Sequence, residues 1–551
     1  QVASYGVGGS PLMFPGSMES HGEVMCDIKV HFLNGDSVNL NVLVSTLGRD
    51  LREMISDKLP SKAGAFVSLA HEDLGLIILQ KTLQQQGLVG DITLCCVYTP
   101  TCIYGCWSLI HGYNISSDLE SFEGVTELRG MRSCSHLQQF PKSLLSLTFG
   151  DGFNEPLGSS VSFPNLQRLT FGRGFNQSVE GVNWPSCLED LTFGYEFSQS
   201  LRGVNLPSNL RSLTFGAWFN QTLDNVELPH GLQHLTLGDR FDQRIQHVNW
   251  PPNLQSLVFG AEFNQTLEAV KLPSSLQILK FGSRFNQKLE QFFLPLSLKF
   301  LTFGFHFNQS IDTLTLPGSL EHLAFGGSCC QSLDTTVSLP SLQSLILGSP
   351  SNQTLQSFLF PHLRSLTFGT RFNYRLDDVA LPNSLESLTL GEWFNQTLEA
   401  VILPKNLRNL SFGDWFNQSL ESVKFPDDLH SLNFGDRFDR PLQRVMLPNT
   451  LQNLRFGSRF NQSLEGVMLP RVQSLSFGSN FNRPLALPSS LQTLIVGRDF
   501  NQSLDQVNWP TLTTLTFGSR FDQSLDNVRL PKSLRTLTFG DWFNQRLDAV
   551  E

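Results

Sequence analysis

One glycine recurs at a nearly constant interval along most of this chain. Fourteen of the eighteen intervals between successive copies are 22 residues long, and the other four are 19 or 21 residues long. A fixed short period over many copies is typical of a repeat array in which each unit packs only against its neighbours. We therefore expect a solenoid of about 19 units rather than several ordinary globular cores. The glycines that mark the units are Gly150, Gly172, Gly194, Gly216, Gly238, Gly260, Gly282, Gly304, Gly326, Gly348, Gly369, Gly391, Gly413, Gly435, Gly457, Gly478, Gly497, Gly518 and Gly540.

Each unit contains a short segment of alternating apolar and polar residues before its glycine, as in Leu210 to Gly216. Such alternation predicts a short β-strand with one buried face. Stacked units would pair these strands into one long parallel sheet with about 4.8 Å between neighbouring strands. The expected fold class of this region is mainly β, a parallel-sheet solenoid.

Phenylalanine occupies two positions of the unit almost without exception. It precedes the glycine in fifteen units and stands third after it in seventeen, which explains why the chain has 45 Phe but only 8 Trp and 6 Tyr. Stacking of the units would place these rings in two continuous internal ladders. One unit cannot bury its own faces, so stability must come from its neighbours.

The glycine and a following asparagine have distinct expected roles. A glycine in every unit indicates either a positive φ or too little room for a Cβ where the chain leaves the strand. Asparagine is the fourth residue after it in fourteen units, and we expect its amide to form a hydrogen-bonded ladder between units. Nine of these asparagines, beginning with Asn176, also match an N-glycosylation acceptor, but the ladder is the favoured interpretation because Asn also stands there in units without the acceptor sequence.

The segments Phe215-Gly216-Ala217-Trp218-Phe219-Asn220-Gln221 and Leu272-Pro273-Ser274-Ser275-Leu276 resemble FNIP-type leucine-rich repeats. The resemblance covers about residues 141 to 551. It implies a solenoid with a parallel sheet along one side, and it implies an interaction module without chemistry of its own.

A different pattern precedes the array. Two alternating segments flank Asn34-Gly35-Asp36, which predicts a hairpin, and a helical pattern follows at Asp50, Leu51, Met54, Ile55 and Leu59. With later strands predicted at 66–69, 76–79 and 92–98, this region resembles a small α+β ubiquitin-like (β-grasp) domain. It has no terminal Gly-Gly, and Ser68 stands where ubiquitin has the isoleucine of its recognition surface, so neither conjugation nor binding to ordinary ubiquitin receptors is expected.

The chain is accordingly divided into four parts. Residues 1–23 form an N-terminal tail and residues 24–99 the ubiquitin-like domain. Residues 100–140 form a linker with a degenerate capping repeat, and residues 141–551 form the solenoid. A polar-faced cap is expected because an exposed solenoid end would otherwise leave its core uncovered.

Charge and composition disfavour several functional classes. The formal net charge is −10 and no run of Lys or Arg is present, so nucleic acid is not an expected partner. No apolar stretch reaches the roughly 20 residues that a membrane span needs, so we expect a soluble protein. The nine cysteines follow no zinc spacing and favour reduced thiols in an intracellular compartment, with the cytoplasm as the expected location. The chain begins at Gln1 rather than Met, which leaves open an upstream targeting segment. No catalytic, cofactor or metal motif is found, so neither an enzyme nor a small-molecule substrate is expected.

The outward strand positions are mostly Ser and Thr, as expected for a wetted sheet face, but one central region departs from this rule. Apolar or bulky residues occupy the outward and turn positions of consecutive units there, and a contiguous exposed apolar patch usually marks a partner site. Relaxed selection on a long array, or a local contact with Phe292-Phe293, explains the same residues equally well. The candidate partner-binding residues are Val258, Ile278, Lys280, Phe300, Phe305, His306, His322 and Ile346.

Turn positions elsewhere carry Trp and Arg, at Trp218, Trp393, Trp415 and Trp542 and at Arg240, Arg284, Arg371, Arg437, Arg459 and Arg520. These residue types are enriched at binding hot spots, but stacking of Arg on aromatic neighbours is the preferred interpretation. The sequence thus predicts a non-enzymatic scaffold or structural subunit that binds other proteins or a large assembly. The alternative is a substrate-recognition adaptor in the ubiquitin pathway.

Overall fold

The structure is a computed structural model. It describes the backbone of six short strands between residues 25 and 104, together with residues 126–131, 140, 142–158, 163–311, 314–327, 339–348, 360–377, 379–469, 471–526 and 528–547. The chain divides into two compact units, Gln1–His136 with Pro141–Gly150, and Leu137–Phe140 with Asp151–Glu551. The strands in chain order are β1 (Met25–Phe32), β2 (Ser37–Leu43), β3 (Val67–His71), β4 (Gly75–Leu76), β5 (Ile92–Tyr98), β6 (Cys102–Tyr104), β7 (Glu127–Met131), β8 (Ser146–Phe149), β9 (Arg168–Thr170), β10 (Asp190–Thr192), β11 (Ser212–Thr214), β12 (His234–Thr236), β13 (Ser256–Val258), β14 (Ile278–Lys280), β15 (Phe300–Thr302), β16 (His322–Ala324), β17 (Ser344–Ile346), β18 (Ser365–Thr367), β19 (Ser387–Thr389), β20 (Asn409–Ser411), β21 (Ser431–Asn433), β22 (Asn453–Arg455), β23 (Ser474–Ser476), β24 (Thr493–Ile495), β25 (Thr514–Thr516) and β26 (Thr536–Thr538).

The first unit contains a five-stranded mixed sheet in the order β2-β1-β5-β3-β4. The predicted hairpin is confirmed, because β1 and β2 pair antiparallel from Met25 opposite Leu43 to His31 opposite Ser37. Strand β1 is parallel to β5, and β3 is antiparallel to both β5 and β4. The predicted helix lies outside the described residues. The same unit also holds β6, β7 and β8, which pair in parallel with a bulge between Arg129 and Met131.

The second unit is a parallel solenoid of about 17 turns. Its strands β9 to β26 are each three residues long and pair in sequence order, leucine against leucine, as in Leu191 opposite Leu213. Backbone bonds beside the strands extend each ladder, for example from the Phe193 N–H to the Thr214 carbonyl at 2.8 Å. The sequence predicted about 19 repeats because it contains 19 of the marker glycines. One of these repeats, that of Gly150, has its strand β8 in the first compact unit, and the remaining difference arises because the prediction counted glycines rather than turns.

The two predicted phenylalanine ladders are confirmed in the core of the second unit. Ring centroids of Phe171 and Phe193 lie 5.5 Å apart in one ladder, and those of Phe175 and Phe197 lie 6.0 Å apart in the other. Within a unit the two rings also stack, at 3.9 Å for Phe193 and Phe197. Rings of the second ladder such as Phe219 have no exposed surface, so each unit closes the core of the next.

The unit-marking glycine is required by a close approach between turns. A Cβ built on Gly216 would lie 1.6 Å from the carbonyl oxygen of Gly194, and the same clash recurs along the array. Positive φ values among the described glycines fall at Gly130, Gly181, Gly203 and Gly466, none of which marks a unit. Of the two explanations raised by the sequence, lack of room for a Cβ is therefore the correct one.

The asparagine ladder is confirmed, and it uses the amide oxygen. The Asn264 Oδ1 atom accepts a hydrogen bond from the Asn286 N–H at 2.9 Å and from the Gln287 Nε2 at 3.1 Å in the next unit. Because only an acceptor is needed, aspartate can replace asparagine. The Asp242 carboxylate accepts bonds from the Asn264 N–H and the Gln265 Nε2 in the same geometry.

Candidate partner-binding site

The outward face of the solenoid sheet has two columns of side chains, because each three-residue strand turns its central leucine inward. In β11, β18 and β19 the two outward residues are Ser and Thr. Over β13 to β17 the strands remain in register, so residues in one column lie beside each other across neighbouring strands. Residues other than Ser and Thr on neighbouring strands of this region therefore form one continuous surface.

The first outward column carries the aromatic part of the predicted site. Ile278 pairs with Phe300, and Phe300 pairs with His322. The Phe300 and His322 rings stack with their centroids 4.3 Å apart and their planes 9° from parallel. Ile278 and Phe300 are each 36% exposed, so this row presents apolar surface to solvent on two neighbouring strands, with His322 stacked beside it on the third.

The second column is more mixed. Val258 is half-buried, and its neighbour Lys280 is exposed on β14. Thr302 follows, and then Ala324 beside Ile346, whose side chain is 41% exposed. Within the second column Ile346 thus lies beside Ala324, and Lys280, Thr302 and Ala324 separate it from Val258.

Phe305 and His306 lie in the turn that follows β15, beyond Gly304. The Phe305 ring is 54% exposed and meets the His306 ring edge-on, with centroids 5.2 Å apart. It also covers the next unit's Gly327, where a Cβ would lie 2.2 Å from the ring. These two residues form an aromatic pair at the edge of the sheet rather than an extension of the Phe300 row.

A local contact with Phe292-Phe293 does not account for the patch. Phe292 is buried in the core, and the Phe293 side chain is 79% exposed, so neither covers the outward columns. Of the two explanations that involve no partner, the local contact is therefore excluded and relaxed selection remains.

The structure also shows a polar pocket that sequence reasoning missed. It has a volume of about 690 Å³ and lies where β16 to β20 begin. The Glu386 carboxylate in its wall accepts a bond from Arg364 at 3.2 Å, and Glu321 pairs with Lys299 at 2.9 Å. The only signal in the sequence is a column of charged residues just before the strands. The lining residues are Glu321, Pro340, Ser341, Gln343, His362, Arg364, Ser384, Glu386 and Asn406.

Stacking of Arg on aromatic rings is confirmed at the turn positions. The Arg240 guanidinium lies 4.7 Å from the Trp218 ring centroid, and the Arg437 guanidinium lies 3.2 Å from that of Trp415. Arg284 instead pairs with Glu262 at 3.6 Å. These side chains stabilise one another along the edge, and their ring faces are partly covered.

Two further structural features concern chemistry and thiols. Within the ranges given above, no three His, Cys, Asp or Glu side chains are grouped so that they could hold a metal ion, and no helix is long and apolar enough to span a bilayer. The Cys187 thiol is free and half-buried, with its Sγ 3.4 Å from the Leu166 carbonyl oxygen. The other cysteines lie outside the residues whose side chains are described.

The chain matches a known repeat family and several solved structures. The FNIP Repeat family matches residues 175–217, 219–262, 263–306, 307–350, 352–392, 394–423, 416–459, 460–499, 483–520 and 500–542. The protein CroV588, described as a novel circular LRR protein structure, is 39% identical over 77% of this chain and 70% of its own, with a TM-score of 0.61. The internalin InlF from Listeria monocytogenes is 13% identical over 53% of this chain and 82% of its own, and its TM-score of 0.33 is too low to bear on the fold. No curated protein matches.

Proposed function

Because the chain belongs to the FNIP repeat family, we propose that it is a non-enzymatic scaffold or structural subunit whose solenoid presents an extended surface to another protein or to a large assembly. Solenoids stack repeats into long continuous faces, which suits them to binding extended partners. The rigid internal ladders support this role because they hold the outward side chains in fixed columns.

The observation that carries the proposal is the row Ile278, Phe300 and His322. On a face built mostly from Ser, Thr and other polar residues, this row exposes two large apolar side chains on adjacent strands. The stacking of His322 on Phe300 fixes the ring, and a fixed aromatic side chain loses little conformational freedom when a partner packs on it. We place the partner site here, with Lys280 and Ile346 at its margin and Phe305 and His306 at the turn edge.

For the N-terminal region we propose the ubiquitin-like β-grasp domain. The strand order β2-β1-β5-β3-β4, with parallel β1 and β5 at its centre, supports this proposal. A role as a substrate-recognition adaptor in the ubiquitin pathway stays a prediction that rests on this domain alone.

A double substitution, Phe300→Ser with Phe305→Ser, tests the scaffold proposal. Neither ring belongs to an internal ladder, so thermal stability should remain close to that of the unsubstituted chain. Native association should weaken, because truncation of an aromatic hot spot can cost about 2 kcal/mol or more. Proteins that copurify with the tagged chain would be quantified by mass spectrometry.

The matched control is Ile495→Ser, which removes a side chain of similar exposure, 40%, from the outward face of β24 outside the patch. The control should retain the partners. If the double variant retains the same partners at the same yield as the control, the apolar residues of the patch reflect relaxed selection on a long array and not a binding site.

A further inference from the structure

Five arginines lie on three adjacent turns of the solenoid, around the edge at which the chain leaves its strands. They form no basic run in the sequence, and only the stacking of the turns brings them together. Neighbouring turns are about 5 Å apart, so the group extends over about 10 Å along the array. We call this group the arginine cluster, and its members are Arg437, Arg440, Arg455, Arg459 and Arg483.

Three members of the arginine cluster lie close to one another on two neighbouring turns. The Arg459 N–H bonds to the Asp436 carbonyl oxygen at 2.8 Å, and the Arg437 N–H makes the equivalent bond one turn earlier. These two side chains therefore begin at equivalent points, about 5 Å apart. Arg455 is an exposed outward residue of β22, four positions before Arg459. The Arg437 guanidinium lies over the Trp415 ring, which leaves its in-plane N–H groups able to donate.

The other two guanidinium groups are oriented by hydrogen bonds to the backbone. The Arg440 Nε donates to the Asn417 carbonyl oxygen and the Arg483 Nε to the Asn461 carbonyl oxygen, both at 2.9 Å. Each guanidinium keeps four further N–H groups on its Nη atoms, which extend beyond this bond. Since the bond restricts these side chains before any ligand arrives, less conformational freedom is lost on binding.

The arginine cluster carries more positive than negative charge, although the chain as a whole has a formal net charge of −10. Two aspartates accompany it, and the next turn already bonds to both. Asp436 accepts bonds from the Ser458 N–H and Oγ, and Asp439 accepts one from the Asn461 N–H at 2.9 Å. Among the residues whose side chains are described, no acidic group forms an ion pair with any of the five arginines. Their N–H groups therefore have no carboxylate partner within the chain.

The extent of the arginine cluster favours a short protein segment over nucleic acid. The planar guanidinium matches a carboxylate with two parallel hydrogen bonds. A nucleic-acid backbone would continue beyond three turns, and the two preceding turns carry the exposed carboxylates of Asp414 and Glu392. The net negative charge of the chain would also repel a polyanion. A short acidic segment can end before it reaches these carboxylates.

We propose that the arginine cluster is a second partner site, which binds a short acidic segment of another protein through neighbouring Asp or Glu side chains. It is separate from the Phe300 row and goes beyond the function proposed for that row. An extended segment places alternate side chains on one face about 6–7 Å apart. This spacing is close to that between Arg437 and Arg459, so carboxylates two positions apart can each reach one guanidinium.

The test uses a fluorescein-labelled peptide with about six consecutive glutamates between Gly-Ser flanks, measured by fluorescence anisotropy on the full-length chain at about 50 mM salt. The unsubstituted chain should bind this peptide and should not bind the same peptide with glutamine in place of glutamate. The double variant Arg455→Gln, Arg459→Gln should bind it about five- to tenfold more weakly, as expected for two exposed ion pairs. Both side chains are exposed, so urea unfolding should be unchanged.

The matched control is Arg202→Gln with Arg529→Gln, which removes the same charge from exposed positions outside the arginine cluster and should leave peptide binding unchanged. The Phe300→Ser, Phe305→Ser variant should also retain the peptide, which separates this proposal from that for the Phe300 row. Failure of the unsubstituted chain to bind the glutamate peptide, or equal binding by the cluster and control variants, would overturn the assignment. Tighter binding of a DNA duplex of about 12 base pairs, lost in the cluster variant, would assign the cluster to phosphate backbones instead.

Discussion

Replacement of Gly282 by alanine should be among the most damaging single substitutions in the array. The new Cβ would lie 1.7 Å from the Gly260 carbonyl oxygen and 2.8 Å from the Ala261 Cα, whereas real Cβ contacts are essentially never under 3.0 Å. Both obstacles are backbone atoms, so no side-chain rotation relieves the clash. The two turns must move apart by more than 1 Å.

That displacement opens contacts on both sides of the glycine. The Phe259 N–H bonds to the Lys280 carbonyl at 2.8 Å, and the Arg284 N–H bonds to the Ala261 carbonyl at 2.8 Å. Each such bond contributes about 1 kcal/mol. Overpacking itself typically costs 1–3 kcal/mol, so the expected loss is about 3–5 kcal/mol at this interface.

The measurement is hydrogen exchange of amides in the turns around Gly260 and Gly282, combined with urea unfolding, because a stacked array can open locally. The matched control is Gly318→Ala, where a Cβ would have no atom within 4 Å and no positive φ is involved. That control should be neutral, or stabilising by about 0.5 kcal/mol through the unfolded chain. Equal stability of the two variants would refute the close-approach argument.

Further substitutions test the core, the turns and the ladder. Phe263→Ala, or Phe285→Ala, removes a ring with no exposed surface and should cost about 3–5 kcal/mol locally; unchanged hydrogen exchange would show that the ring is not in the core. Gln291 has a φ of 62°, so Gln291→Gly should stabilise the chain. Gly203 has a φ of 77°, and a Cβ there would meet only the Glu180 Oε1 atom at 4.0 Å, so Gly203→Ala should destabilise the chain through its backbone by about 1 kcal/mol in urea unfolding. Hydrogen bonds from the Asn544 N–H and the Gln545 side chain lower the pKa of Asp522. The ionised carboxylate therefore stabilises the fold above its unfolded pKa near 4, and this stabilisation is lost as the pH falls through the lower folded pKa. Asp522→Asn should remove this acid-dependent loss of stability when unfolding is compared at pH 3 and pH 7.

The interior could be predicted from sequence because its physics repeats. A ring such as Phe219 meets the same neighbours as the ring of the previous unit, so one environment is sampled many times along the chain. The sequence left two explanations for the repeated glycine, a positive φ or a lack of room for a Cβ. Only the short distance between Gly216 and the carbonyl oxygen of Gly194 distinguishes them. Asp242 can stand where most units have Asn because the ladder uses a side-chain oxygen as the hydrogen-bond acceptor, and a carboxylate supplies the same oxygen.

The surface features could be predicted only in part. The constant repeat length predicts that Ile278, Phe300 and His322 lie in one column of the sheet, and the pairing of β14, β15 and β16 has this register. The direction of the Phe305 ring, over Gly327 and against His306, depends on a turn geometry that alternation does not specify. The pocket depends on side chains from five successive units, and no periodic rule distinguishes a gap between them from close packing.

The distribution of apolar residues on the outward face separates drift from a partner site. Substitution of the inward leucines, rings and glycines is restrained by packing, so the outward columns are where an array can vary at little cost to stability. Relaxed selection would scatter apolar residues over these columns, as at the isolated Ile495. In the first outward column of β9 to β26, the large apolar residues are Ile278 and Phe300, and they lie on neighbouring strands. Exposed apolar surface invites association whether or not it is selected. Its concentration in one row therefore favours a partner site over drift.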